Sequence, residues 1–213
     1  MKVNNETAAS TAEFLLQAKA IKLSKNKPFT WASGWKSPIY CDNRKILSYP
    51  KIRTYIRQKF VETIKENFGS VDVIAGVATG GIALGALVAQ ELELPFVYVR
   101  ASSKGHGLEN KIEGVVEEGQ RVVVIEDLVS TGKSSLNAVD ALREQNCQVI
   151  GMVAIFTYGF NIAKESFKEK KCDLIALSDY DHLINIAFET GYILKTDVGP
   201  LKKWRENPSS WKP

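Results

Sequence analysis

The sequence predicts an α/β fold: a mostly parallel sheet flanked by helices on both faces, with a small N-terminal hood. Three observations carry this. Apolar runs at 71–78, 95–99, 122–125, 149–156 and 173–177 are nearly continuous rather than alternating, the mark of strands covered on both faces. Helical patterns separate them, which is the rhythm of repeated βαβ units. Residues 1–70 break that rhythm. They are expected to form the hood (helix, hairpin, helix), and 71–213 the ligand-binding core with a C-terminal tail.

Each element has its own signal. Phe14, Leu15, Ala18 and Ile21 recur at helical spacing across 8–21. Residues 28–44 turn to aromatic and β-type residues broken by Ser33-Gly34 and Ser37-Pro38, which reads as a hairpin. Tyr49-Pro50 opens an amphipathic helix running to about Phe68, with proline where a first turn accepts it. After the strand at 71–78, Thr79, Gly80 and Gly81 form a tight turn into an Ala/Leu helix ending near Glu93. Residues 100–113 are polar and glycine-bearing, a long mobile loop. Helices follow at 134–145, 161–169 and 179–188, the last capped by Ser178. The tail, 201–213, is polar apart from Trp204 and Trp211.

Composition narrows the function. At 213 residues, 45% hydrophobic and 24% charged, the chain can bury one substantial core. A net charge of +4 is too mild for a nucleic-acid surface, but suits a substrate carrying several phosphates. Cys41, Cys147 and Cys172 are odd in number and far apart, so reduced thiols are expected and no metal site. There is no apolar signal core and no run of membrane-spanning length, so a cytoplasmic location without a membrane partner is expected.

The chemistry concentrates in 121–135. Glu126 and Asp127 follow the buried run at 122–125, at the strand end where open α/β sheets bind ligands. A loop of small and hydroxyl residues comes next, then a helix. Carboxylates can accept hydrogen bonds from ribose hydroxyls, while loop N–H groups and a helix N-terminus can hold a phosphate. Taken alone, the acids are equally a solvated turn or a helix cap. Thr131-Gly132-Lys133-Ser134 also looks like the end of a Walker A loop, but Asp127 stands where that motif needs its first glycine.

Four hydrophobics, two acids and a small-residue loop with Thr-Gly resemble the phosphoribosyl-pyrophosphate (PRPP) motif of the type I phosphoribosyltransferases. Within them, residues 29–44, with Ser33-Gly34, Ser37-Pro38-Ile39-Tyr40 and Asp42-Asn43-Arg44, resemble the N-terminal signature of the orotate enzymes. Arg100 followed by Lys104-Gly105-His106-Gly107 resembles their catalytic loop. The resemblance implies transfer of the phosphoribosyl group of PRPP to orotate, giving orotidine 5′-monophosphate and pyrophosphate, a step of de novo pyrimidine synthesis. It implies Mg²⁺ held mainly by substrate oxygens, with no dedicated protein metal site, and a homodimer whose catalytic loop serves the neighbouring subunit.

By the same resemblance Glu126 and Asp127 hold the ribose hydroxyls. Val129, Ser130, Thr131, Gly132, Lys133 and Ser134 wrap the 5′-phosphate, with Lys133 equally readable as a solvent-facing lysine. Thr79, Gly80 and Gly81 offer N–H groups to pyrophosphate, and Arg100, Lys104 and His106 add charge. Several family basic residues are absent: Ala32, Gly80, Ala101 and the Phe156–Phe160 stretch stand in their places. Lys36 and Arg44 are candidates to replace that charge, and Trp31, Trp35, Ser33 and Gly34 are hood candidates for orotate. His182 matches no motif and reads as structural. The alternatives are a purine or xanthine phosphoribosyltransferase, against which the hood signature argues, and a PRPP-sensing regulator, for which no basic nucleic-acid face is evident.

Overall fold

The computed structural model describes residues 2–24, 27–31, 34–101 and 111–211. In chain order the elements are α1 (Asn5–Gln17), β1 (Ile21–Leu23), β2 (Phe29–Thr30), β3 (Lys36–Ser37), β4 (Ile39–Cys41), a 3-10 turn (Asn43–Ser48) and α2 (Pro50–Asn67). Then come β5 (Val73–Val77), α3 (Gly80–Leu92), β6 (Phe96–Val99), β7 (Ile112–Glu113), β8 (Arg121–Val129) and α4 (Lys133–Glu144). The chain ends with β9 (Gln148–Thr157), α5 (Asn161–Glu169), β10 (Leu174–Asp179), α6 (Tyr180–Glu189) and α7 (Lys195–Glu206).

The main sheet has the order β10-β9-β8-β5-β6-β7 and is parallel except for β7, which pairs antiparallel with β6. One face carries an apolar cluster of Val122, Val124, Val139, Leu142, Ala163 and Phe167 under α4 and α5. The other carries Ile74, Val123, Ile125 and Ile155, and that cluster runs on into Leu15, Ile39, Ile56 and Phe60 of the N-terminal elements. Burial on both faces is why the strand runs are nearly uniformly apolar.

The register positions the site. β5 pairs with β8 only from Val73↔Val122 to Gly76↔Ile125, while β8 continues against β9 as far as Val129↔Thr157. From Glu126 onward β8 therefore has a neighbour on one side only. A cleft opens where β5 stops.

Four sequence expectations need correction. The first helix stops at Gln17. Lys19 takes a left-handed φ of 51°, and Ile21 belongs to β1, paired with Cys41. Apolar spacing continued across that break and hid it. The acids do not follow the strand but lie inside it, because β9 keeps pairing past Ile125. α6 is capped by Asp179, whose Oδ1 accepts from the His182 N–H at 3.0 Å, while the buried Ser178 donates to the Ala8 carbonyl at 2.9 Å. The polar tail contains a helix: Val198, Leu201 and Trp204 share its inner face despite Gly199 and Pro200, and Trp204 is fully buried.

Candidate active site

Successive residues of a strand point to opposite faces, and the two acids obey this. Glu126 turns towards α4, where the Ser135 hydroxyl donates to its Oε2 at 2.7 Å. Asp127 turns the other way, its carboxylate lying against Gly80. The Asp127 N–H donates to Glu126 Oε1 at 3.0 Å. Burial, then the Asp127 charge, pushes the Glu126 carboxyl up to about 8. Burial also raises Asp127, which lies half-buried at the cleft wall, against the opposing pull first of its hydrogen bond with Glu126 and then of the Arg44 charge.

The turn after β8 leaves backbone donors unused. Gly132 adopts a φ of 83° at the N-cap of α4, with no side-chain cap on the helix. The first N–H groups of α4 are thus left for a ligand, reinforced by the helix dipole. Ser130, Thr131, Gly132 and Ser134 line a cleft of about 400 Å³ together with Glu126 and Asp127. Thr79 and Gly80, at the start of α3, line it from the side that β5 vacates. Gly80 has a specific cause: a Cβ there would coincide with the Asp127 carboxylate, and one on Gly81 would strike the Ile125 carbonyl. A larger side chain at 80 is incompatible with this approach of α3 to β8.

The N-terminal elements close the third side. Cys41, Asp42 and Arg44 line the cleft. Asn43 is buried and donates from Nδ2 to the Asp127 carbonyl at 2.6 Å, tying the hood to β8. The Cys41 thiol donates to Asn43 Oδ1 at 3.2 Å, and burial followed by the Asp127 charge pushes its pKa well up. Beyond Cys41, Leu128 and Ser130 the cleft passes into a second cavity of about 250 Å³, walled by Thr30, Trp31, Tyr40 and Tyr158. That cavity is flat-walled and aromatic.

The Phosphoribosyl transferase domain family matches residues 43–190, which include both acids, the 130–134 turn and 79–81. The orotate phosphoribosyltransferase of Phocaeicola vulgatus is 59% identical over 200 residues, covering 94% of each chain. That of Bacteroides thetaiotaomicron is 57% identical with the same coverage. The crystal structure of orotate phosphoribosyltransferase from Aeropyrum pernix superposes with a TM-score of 0.74 at 27% identity, covering 86% of this chain and 99% of that one. The chain belongs to the orotate phosphoribosyltransferase family.

Within this orotate phosphoribosyltransferase the site candidates divide. Thr79, Gly80, Glu126, Asp127, Ser130, Thr131, Gly132, Ser134 and Arg44 meet in one cleft, and Trp31 lines the aromatic cavity beside it. Gly81 and Val129 are buried beneath the cleft. Lys133 is exposed on the first turn of α4 and lines neither cavity. Lys36 also lines neither; its ammonium donates to Thr30 Oγ1 at 2.8 Å on the exposed side of the hairpin. Gly34 is exposed at the hairpin turn, and Trp35 lines a separate cavity by Phe160 and Arg205. Arg100 pairs with Glu113 at 3.1 Å. Ser33, Lys104 and His106 lie outside the described residues. His182 Nδ1 meets Asp179 Oδ1 at 2.8 Å, consistent with a structural role.

Cys41, Asp42, Asn43, Leu128, Tyr40 and Tyr158 were not named as site candidates. Tyr40, Asp42 and Asn43 stood in the quoted signature and could have been carried over with Arg44. Tyr158 lies in the 156–160 stretch that stands in place of a family basic residue, and the β8–β9 pairing brings it to the aromatic cavity.

Proposed function

We propose that this orotate phosphoribosyltransferase binds PRPP in the cleft between β8, α3 and the 130–134 turn, and orotate in the adjoining Trp31/Tyr158 cavity. A bond forms from a ring nitrogen of orotate to the anomeric carbon of PRPP as the bond to pyrophosphate breaks, and the proton of that ring N–H passes to the departing pyrophosphate, giving orotidine 5′-monophosphate and pyrophosphate. One observation carries the reading: Glu126 and Asp127 lie on the stretch of β8 that pairs with β9 alone, between a free helix N-terminus and a second turn rich in backbone donors.

The residues divide the work. The α4 N-terminus with the Ser130, Thr131 and Ser134 hydroxyls takes the 5′-phosphate. Asp127 and Glu126 accept from the ribose hydroxyls and hold the ring while positive charge develops on it. Thr79 and Gly80 approach the pyrophosphate through backbone, with Arg44 as the nearby cation. Arg100, Lys104 and His106 belong to the loop that closes over the leaving group. Among the described residues no group of three or more His, Cys, Asp or Glu could hold a metal. The carboxylate and hydroxyl oxygens of the cleft suit a hard dication that keeps most of its ligands from substrate and water. Bound there, Mg²⁺ supplies neutralising charge to the departing pyrophosphate.

The same reading includes a homodimer sharing its loops, and a cytoplasmic site of action. No helix among the described residues is long and apolar enough to cross a membrane. Mixing Lys104→Ala with Asp127→Asn subunits tests the sharing: activity returns if sites are built across subunits and stays lost if they are not. The test of function is PRPP- and Mg²⁺-dependent loss of orotate absorbance, run beside adenine, guanine, hypoxanthine, xanthine and uracil. Turnover of orotate alone is expected. Turnover of a purine instead would overturn the base assignment and leave the PRPP cleft standing.

A further inference from the structure

Trp204 lines neither the phosphate cleft nor the aromatic cavity beside it, and it lies beyond the residues matched by the family domain. It is nevertheless fully buried, with four rings around its indole. Trp31 stands edge-on at 5.6 Å and 82°, Tyr158 at 5.9 Å and 78°, and Phe160 at 5.8 Å and 66°. Tyr180 is at 5.4 Å and 40°. Two of these four, Trp31 and Tyr158, wall the aromatic cavity. The Trp204 indole N–H also donates to the Lys36 carbonyl at 3.3 Å, on the strand that pairs with Thr30.

The hairpin needs that support. β2 and β3 are two residues each, with only two paired positions, and so short a ribbon does not hold its own geometry in water. Its anchors are tertiary: the Trp31 indole N–H to the Ile39 carbonyl at 3.0 Å, and Trp204 to Lys36. Edge-to-face packing fixes the angle of a ring as well as its position. α7 is in turn held by the Tyr180 hydroxyl, which donates to the Leu201 carbonyl at 3.1 Å one turn before Trp204.

We propose that Trp204 is a positioning residue for the nucleobase: from the C-terminal helix it sets the Trp31 and Tyr158 walls and the hairpin that carries Thr30. The inference rests on the reading of that cavity as the orotate site. It assigns to α7 a role in base recognition separate from the PRPP cleft, whose walls come from other elements. A wall that drifts weakens the flat ligand stacked on it and leaves the phosphate contacts intact.

The experiment measures KM for orotate and for PRPP separately in full-length Trp204→Phe, Tyr180→Phe and Trp31→Leu. Trp204→Phe keeps an aromatic ring and loses the N–H; Tyr180→Phe leaves Trp204 untouched and frees its helix. Both are expected to raise KM for orotate about three- to ten-fold, the scale of one lost hydrogen bond, with KM for PRPP within about two-fold. An unchanged PRPP KM also certifies an intact fold. The proposal is overturned if both constants move together in the Trp204 and Tyr180 variants, or if neither moves while Trp31→Leu still weakens orotate. If Trp31→Leu leaves orotate KM unchanged, the cavity is not the base site, and the inference falls with that assignment.

Discussion

Glu126→Gln is expected to stabilise the free protein at alkaline pH while weakening PRPP binding. Glu126 is 4% exposed, and its carboxyl is pushed from 4.5 to about 8. Its folded value lies above its unfolded one. Below pH 4.5 both states are protonated, and the group leaves stability untouched. As pH rises towards 8 the unfolded chain ionises and the folded one resists, so stability is lost across that window and levels off above it. At about 1.4 kcal/mol per pH unit the cumulative loss is roughly 2 kcal/mol at pH 6 and roughly 5 kcal/mol at pH 9. The Asp127 carboxylate beside it titrates with Glu126 and moderates this, so wild type should lose about 2 kcal/mol more than the glutamine variant between pH 6 and pH 9. Denaturant titrations of both ligand-free proteins at the two pH values measure the difference. The variant should meanwhile show a KM for PRPP raised about ten-fold, having lost an acceptor for a ribose hydroxyl. Parallel stability curves from pH 6 to pH 9 would refute the raised Glu126 carboxyl.

The remaining expectations test the walls of the cleft. Gly80→Ala puts a methyl where the Asp127 carboxylate sits and should raise KM for PRPP at least ten-fold, with a stability loss of about 1–3 kcal/mol by denaturation. Gly132→Ala forces a side chain to a φ of 83° and to 2.8 Å from the Phe167 ring, so a loss of about 1–3 kcal/mol and much weaker PRPP binding by calorimetry are expected. Lys36→Ala should leave KM for orotate within about two-fold, because Lys36 lines neither cavity and its bond to the Thr30 hydroxyl is solvent-exposed. Arg44→Ala, which removes the described guanidinium lining the cleft, should raise KM for PRPP about three- to ten-fold in the same assay.

The proposed PRPP half of the site was legible because its parts are contiguous in the chain. The strand, the two acids, the glycine turn and the first residues of a helix lie within 121–135, and local geometry delivers them to one place. The base half was not. Trp31 was a candidate for its flat ring, Tyr40 stood in the hood signature and Tyr158 in the 156–160 stretch without either being given a role, and Trp204 read as part of a polar tail. Lys36 was chosen for charge beside an aromatic hairpin. Strand alternation, which no charge count contains, decides which way a two-residue strand aims its side chains.

By itself the sequence determined the alternation of strands and helices, the acidic pair, the glycine turn and the family they belong to, because each depends on residues within one or two elements of each other. Only the tertiary structure decided that the pairing of β5 with β8 ends one residue short of Glu126 and opens the cleft. The same holds for Asn43 reaching Asp127, for Gly80 giving way to a carboxylate, and for Trp204 from the last helix closing on Trp31 from the first hairpin. Those contacts join residues up to 173 positions apart, between Trp31 and Trp204, and depend on how two apolar faces pack across one sheet. That packing is a property of the whole core, which no local window of the chain can express.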